Sequence, residues 1–292
     1  MAEAFEAGAE GAEEVEEAGR FRACIYAPPI RIDEIHALLV AFASRESSSA
    51  ESTSGETSVE PVESIAVVDW SQTWRRGLEA VWISSRLRIR PPFEESALVS
   101  GQREIVIDPG QAFGIGGHAS TRLCLEWIDE LIAASASSEG PVRFARVLDV
   151  GTGSGVLALA AVVLGAERAI GFDLDSVATR AAEDAAIRNG LTAKSHFFTG
   201  PMEALAEDVA GFDLVVANLL KCEMLPLVAR MASALSEGGR LVLAGLLLAD
   251  VAEVAERFRE QGLIEVGRRS LEDDTGEWIG LCLAFEKGQR LA

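Results

Sequence analysis

The run Val147-Leu148-Asp149-Val150-Gly151-Thr152-Gly153-Ser154-Gly155, followed by an apolar stretch from Val156 to Leu164, leaves few folds open to this chain. Apolar and β-branched residues that give way to three glycines at two-residue spacing, and then to a helical apolar pattern, read as strand, tight turn and helix. Glycine lets the backbone turn sharply and come close to a ligand, and the helix that follows offers free N–H groups and the positive end of its dipole. Units of this kind belong to parallel sheets with helices on both faces, which bind ligands outside the carboxyl ends of their strands. The third glycine of a dinucleotide fingerprint would fall at position 156, which is Val; Gly155 instead completes G-x-G-x-G, a spacing that favours S-adenosylmethionine over NAD. A plain glycine-rich turn in an α/β domain is the alternative.

Downstream, strands and helices alternate. Ala169 to Phe172 reads as a second strand that ends at Asp173, 22 residues beyond Gly151, where a carboxylate can accept both hydroxyls of a ribose. Asp175 is expected to cap a helix that ends at Asn189-Gly190. Ser195 to Thr199 is a third strand; Met202 and Glu203 follow it, either flanking an adenine ring or serving as ordinary helix-start residues. Asp213 to Asn218 is a fourth strand and Arg240 to Ala244 a fifth. Leu263 to Ser270 and Trp278 to Phe285, joined by a polar turn over Glu272 to Gly276, complete an antiparallel hairpin. Asn218 is the candidate for chemistry: its side-chain carbonyl can accept a hydrogen bond from an amine and aim the lone pair, with the backbone carbonyl of Leu219 as a second acceptor. Upstream, Asp108 to Trp127 is a glycine-rich loop that runs into an amphipathic helix, with Ser120 or Thr121 at the helix start, and it can close over a ligand on the Gly151 turn. His118 in this loop has no carboxylate near it in sequence and reads as loop structure rather than as a base.

The front of the chain is less regular. Residues 1–19 hold seven Glu and no base, which predicts a disordered acidic tail. A reduced α/β domain is expected over 20–69, with a strand at its start, a helix through Ile35, Leu38, Leu39 and Phe42, a flexible Ser/Glu-rich insert over 44–61, and a strand from Val62 to Val68. Residues 70–100, with Trp70 and Trp74, are expected to join it to a large domain over 101–292. The formal net charge of −20 argues against a surface that grips nucleic-acid backbones and suits a basic protein partner. Four scattered cysteines make no metal or disulfide framework, and no apolar run is long enough to span a membrane, so a cytoplasmic monomer without a metal is the expectation.

Residues 105–285 resemble the ribosomal protein L11 methyltransferases. Four stretches carry the resemblance: Asp108-Pro-Gly-Gln-Ala-Phe-Gly114 with His118 and Thr121-Arg-Leu-Cys-Leu-Glu-Trp127; Leu148-Asp-Val-Gly-Thr-Gly-Ser-Gly155; Gly171-Phe-Asp-Leu-Asp175; and Val215-Val-Ala-Asn-Leu-Leu220 with Gly245-Leu-Leu. The second and third are common to many methyltransferases, whereas the first and fourth together are specific. The resemblance implies a doubly wound, seven-stranded Rossmann-like sheet with the terminal hairpin. It also implies methyl transfer from S-adenosylmethionine to lysine ε-amines, or an N-terminal α-amine, of ribosomal protein L11. Thr121, Gly151, Asp173 and Asn218 match the family's cofactor-contacting positions; Phe113, Gly114, Gly153, Gly155, Leu174 and Met202 complete the candidate set, and Asn218 and Leu219 are the catalytic candidates. A methyltransferase acting on another protein or a small amine, and a non-catalytic cofactor-binding protein of ribosome assembly, are the alternatives.

Overall fold

The computed structural model describes residues 9, 11–17, 20–28, 31–46, 59, 62, 79–94, 97–109, 117–136, 144–205 and 211–286. They fall in two compact units, Met1–Arg76 and Gly77–Ala292. In the first, strand β1 (Gly11–Glu17) pairs antiparallel with β2 (Arg20–Tyr26), in register from Gly11 opposite Tyr26 to Glu17 opposite Arg20. Over 11–17 this replaces the disordered tail expected from composition. The ladder satisfies backbone N–H and C=O groups that a lone acidic segment would leave to water. Helix α1 (Ile32–Glu46) follows, with Asp33 and Glu34 in its first turn and Ile35 buried; it runs through Glu46, past the expected start of the insert. The expected strand from Val62 to Val68 lies, beyond Val62, outside the described residues, as do Trp70 and Trp74.

The second unit begins earlier than the sequence suggests. Strands β3 (Val81–Trp82), β4 (Leu87–Arg90) and β5 (Arg103–Val106) form a three-stranded sheet, β3 antiparallel and β5 parallel to β4. Residues 81–90 are thus not connecting chain. Ile83, Leu87 and Ile89 are buried with Ile105 and Ile107 in the core of this unit, an alternation that the flanking arginines mask in the sequence. Those arginines are held by acids: Arg88 and Arg90 both pair with Glu104, and Arg86 pairs with Asp129 of helix α2 (Ala119–Ala136). Hydrogen bonding from Arg90 lowers the Glu104 carboxyl below its usual range.

The main sheet has seven strands. Its remaining elements are β6 (Arg146–Val150), α3 (Val156–Leu164), β7 (Arg168–Asp173), α4 (Ser176–Arg188), β8 (Ser195–Thr199), β9 (Phe212–Asn218), α5 (Lys221–Met224), α6 (Val228–Ala234), β10 (Leu235–Leu246), α7 (Val251–Arg259), β11 (Leu263–Asp273) and β12 (Gly276–Phe285). The strand order is β11-β12-β10-β9-β6-β7-β8. Strands β8, β7, β6, β9 and β10 run parallel, whereas β12 is antiparallel to both β10 and β11. Successive residues of the central strands feed opposite faces, as a period of two requires. Val147, Leu214, Val216, Val242 and Ala244 join the core beneath α2, α3 and α4; Leu148, Val150, Val215, Ala217, Leu241 and Leu243 join the one beneath α6 and α7. Both faces are therefore covered, which is why these strands read as unbroken apolar runs. Helix α3 is apolar on every side because it is enclosed, with all residues from Val156 to Val162 buried.

Asn189, at the end of α4, ties the small sheet to the large one. Its side chain accepts from the Val106 N–H (2.8 Å) and donates to the Val106 carbonyl (2.9 Å) and the Ala185 carbonyl (2.8 Å). It thereby supplies the end of β5 with the two partners a further strand would give. Asn189→Ala leaves the Val106 groups without those partners and is expected to lower stability by about 1–3 kcal/mol. A reduced denaturant midpoint with an unchanged m value is the expected result.

Candidate functional site

The carboxyl ends of β6, β7 and β9 lie side by side in the sheet, and the candidate residues sit on the turns that leave them. After β6 the chain makes three left-handed steps, at Gly151 (φ 71°), Gly153 (φ 53°) and Gly155 (φ 80°), which only glycine takes without strain. Gly155 also faces Ala182 of α4, where an added Cβ would lie 2.9 Å from the alanine Cβ. Its part is therefore to seat the start of α3 against its neighbour. Asp173, at the end of β7, accepts from the Gly153 N–H (3.0 Å) and from the Asp175 N–H (3.1 Å). A carboxylate has about four lone-pair directions, so both oxygens keep acceptor capacity for vicinal hydroxyls. Asp175 caps α4 through the Val177 N–H at 2.8 Å, as its position predicts.

Asn218 ends β9. Its Nδ2 donates to the Thr121 hydroxyl at 3.2 Å, which brings together two candidates 97 residues apart in sequence. An amide that donates through nitrogen to this buried threonine keeps Oδ1 as an acceptor. The next residue is confined from two sides. A Cβ on Gly151 would lie 2.5 Å from Leu219 Cδ2, and one on Gly245 (φ 82°) would lie 2.5 Å from the Leu219 carbonyl oxygen. The Leu219 N–H donates to the Ala244 carbonyl at 3.2 Å. Leu174, next to Asp173, is 76% exposed and free to cover a planar ligand, whereas Met202 is buried in the apolar cluster with Phe172 and Leu205. Phe113 and Gly114 lie outside the described residues.

Two acids were not singled out by the sequence. Asp149 is fully buried in β6; its Oδ2 accepts from the Thr152 hydroxyl (2.8 Å) and the Ala158 N–H (3.1 Å), while Oδ1 has no partner among the described residues. Burial pushes its pKa up to about 6. A charged residue inside an apolar parallel strand was the available signal. A buried carboxylate oxygen without a donor among the described residues, two residues before the first glycine of the turn, suits a ligand with a cationic ammonium, and the acceptors of Asp173 suit a ribose. The residues present therefore fit S-adenosylmethionine. The second acid is Asp273, at the end of β11. It accepts from the Ala119 N–H at 2.8 Å, and the Thr275 hydroxyl and then this N–H hold its carboxyl well below the usual range. His118 thus stands beside a carboxylate after all, with its Nε2 4.0 Å from Asp273 and its ring edge-on to Trp278 at 4.8 Å.

A sheet of this order with an antiparallel terminal hairpin, and with the glycine turn, acid and asparagine on one edge, defines a Rossmann-like methyltransferase fold. The chain belongs to the ribosomal protein L11 methyltransferase family (PrmA), whose sequence profile matches residues 14–286. It is 38% identical over 229 residues to the ribosomal protein L11 methyltransferase of Geotalea daltonii, a match that covers 77% of this chain and 70% of the relative. It is also 38% identical over 213 residues to that of Symbiobacterium thermophilum, covering 73% of this chain and 64% of the relative. The crystal structure of the ribosomal protein L11 methylase from Lactobacillus delbrueckii subsp. bulgaricus superposes with a TM-score of 0.60 at 30% identity, over 71% of this chain and 98% of that one. No described helix is long and apolar enough to cross a membrane.

The raised pKa of Asp149 sets the sign of a pH effect. The folded carboxyl keeps its proton up to about pH 6, whereas the unfolded one releases it near 3.8, so between these values the native state binds more protons. This group's contribution therefore falls as pH rises through that window and is level above it. Thermal melts of wild type and Asp149→Asn without cofactor are expected to diverge with rising pH across the window, the variant gaining relative to wild type.

Proposed function

We propose that this chain transfers methyl groups from S-adenosylmethionine to lysine ε-amines of ribosomal protein L11. The observation that carries the reading is the bond between Asn218 Nδ2 and Thr121, which engages the amide nitrogen as donor and leaves its oxygen available to accept from an amine. When bound, the cofactor supplies a methyl group already activated by its sulfonium. The work left to the protein is positional. Asp173 would hold the ribose hydroxyls, the Gly151 turn would allow close backbone approach, exposed Leu174 would cover the adenine, and Asp149 would offset the charge of the ammonium. Asn218 Oδ1 and the Leu219 carbonyl accept from the substrate amine, which leaves its lone pair as the one free direction.

A lysine amine with a pKa near ~10.4 must lose its proton before attack. Transfer into a crevice walled by Leu219 disfavours the ammonium, and neutral acceptors then hold the amine without restoring its charge. The formal charge of −20 favours a cationic protein partner over a phosphate backbone, and the names of the relatives supply L11 as that partner. Methylation of a different protein is kept apart by the substrate test below.

Incubation with labelled S-adenosylmethionine and unmethylated ribosomal proteins, followed by mass spectrometry, is expected to place label on L11 lysines. Label confined to another protein reassigns the substrate, and absence of label despite cofactor binding removes the transferase reading. Asp173→Ala is expected to weaken cofactor binding about tenfold to a hundredfold by deleting charged acceptors. Asn218→Ala is expected mainly to lower turnover, by about a hundredfold in kcat, since it deletes an orienting group, and to weaken cofactor binding less than Asp173→Ala does. Unchanged cofactor affinity in Asp173→Ala would overturn the ribose assignment.

A further inference from the structure

The start of α2 is capped only in part by its own sequence. His118 Nδ1 accepts from the Ser120 N–H at 3.2 Å, but the first helical N–H, that of Ala119, is taken by Asp273, 154 residues later at the tip of the β11–β12 hairpin. Asp273 is itself fixed. Its Oδ1 accepts from the Thr275 N–H at 2.9 Å, from the Thr275 hydroxyl, and from Trp278 Nε1 at 3.3 Å; Trp278 also donates to the Thr275 hydroxyl at 2.9 Å. The hairpin holds α2 further along as well. Trp127 packs so closely on Gly267 that a Cβ there would lie 2.5 Å from its ring, Arg269 lies 3.9 Å above the same ring, and Leu123 rests against Gly280. Two residues inside this clamped terminus is Thr121, which receives the bond from Asn218.

We propose that Asp273 is a positioning residue for methyl transfer: by capping Ala119 from the hairpin it fixes the first turn of α2, and so the Thr121 hydroxyl that sets the orientation of the Asn218 amide. The inference rests on the role given above to Asn218. Its physical basis is that an uncapped helix end frays within one turn, and Thr121 lies in that turn. Displacement of an orienting group by about an ångström costs up to a hundredfold in rate. The carboxylate touches neither cofactor nor substrate in this scheme. Both of its oxygens accept, Oδ2 from Ala119 and Oδ1 from the Thr275 and Trp278 donors, so an amide, with one oxygen, replaces it only in part.

The test uses the full chain with Asp273→Ala, Asp273→Asn, Thr121→Ala and the Asp273→Ala/Thr121→Ala pair. Asp273→Ala is expected to lose about tenfold to a hundredfold in kcat, with KM for L11 within about twofold of wild type and an unchanged Thr121-free baseline: the double variant turns over as slowly as Thr121→Ala alone. Asp273→Asn, which keeps one acceptor of the two, is expected to recover only part of the loss. Hydrogen exchange at the amides of residues 119–121, and the Asn218 side-chain amide resonance, read the clamp without any turnover; faster exchange and a shifted resonance are expected in Asp273→Ala and, to a smaller degree, in Asp273→Asn. If wild type methylates nothing, the functional reading fails while these two signals still decide whether the clamp exists. The proposal is overturned by wild-type exchange and resonance in Asp273→Ala, or by rate losses that multiply in the double variant.

Discussion

Leu219 lies where two chains come too close for a side chain on either. Gly151 stands against its side chain and Gly245 against its carbonyl, so the turn after β6, the end of β9 and the end of β10 fit together only with glycine at both places. Parallel pairing of β6 with β9 and of β9 with β10 brings the three strand ends to one edge, and the missing Cβ atoms let them close. Everything assigned to this edge depends on that fit. A ligand laid on the Gly151 turn meets the residue whose carbonyl is held beside Gly245, and Asn218 precedes it by one position. A side chain at either glycine would have to move Leu219, and with it the acceptor pair, before it touched any ligand.

The legible part of this molecule was the part written in contiguous residues. A strand that ends in glycines or in an acid, followed by a capped helix, carries its signal within about twenty residues, and Gly151, Asp173, Asp175 and Asn218 were read that way. The limits of β8 and the C-terminal end of α4 were read as they stand, because Thr199 and Asn189-Gly190 are local stops. The short helices α5 and α6 were not. Four and seven residues around Pro226 are too few to show a period, and packing of α6 against β10 rather than propensity keeps the longer one helical. Strands β1, β3 and β4 were missed or taken for connecting chain because their partners, not their compositions, make them strands.

The same distinction divides the site residues. Asp273 and Ala119 are joined across more than half the chain, and nothing in either neighbourhood announces the other. His118 was set aside for want of a nearby carboxylate, and the hairpin supplies one in space. Asp149 was visible in the sequence and passed over, since an acid in a strand is ordinarily turned to water, whereas both faces of this sheet are covered.

The position of the hairpin in the sheet has a consequence for how the molecule is made. β6 lies at the centre of the five parallel strands and is synthesised well before β9, its neighbour on one side, while β11 and β12 at the far edge follow all of them. The wholly apolar α3 emerges early and must wait for strands on both sides of β6 before it is enclosed. The first turn of α2 waits longer, until Asp273 has been joined to the chain. A nascent polypeptide can therefore assemble its glycine turn and most of its interior while Thr121 is still unsettled, so that competence arrives with the final strands instead of growing with length.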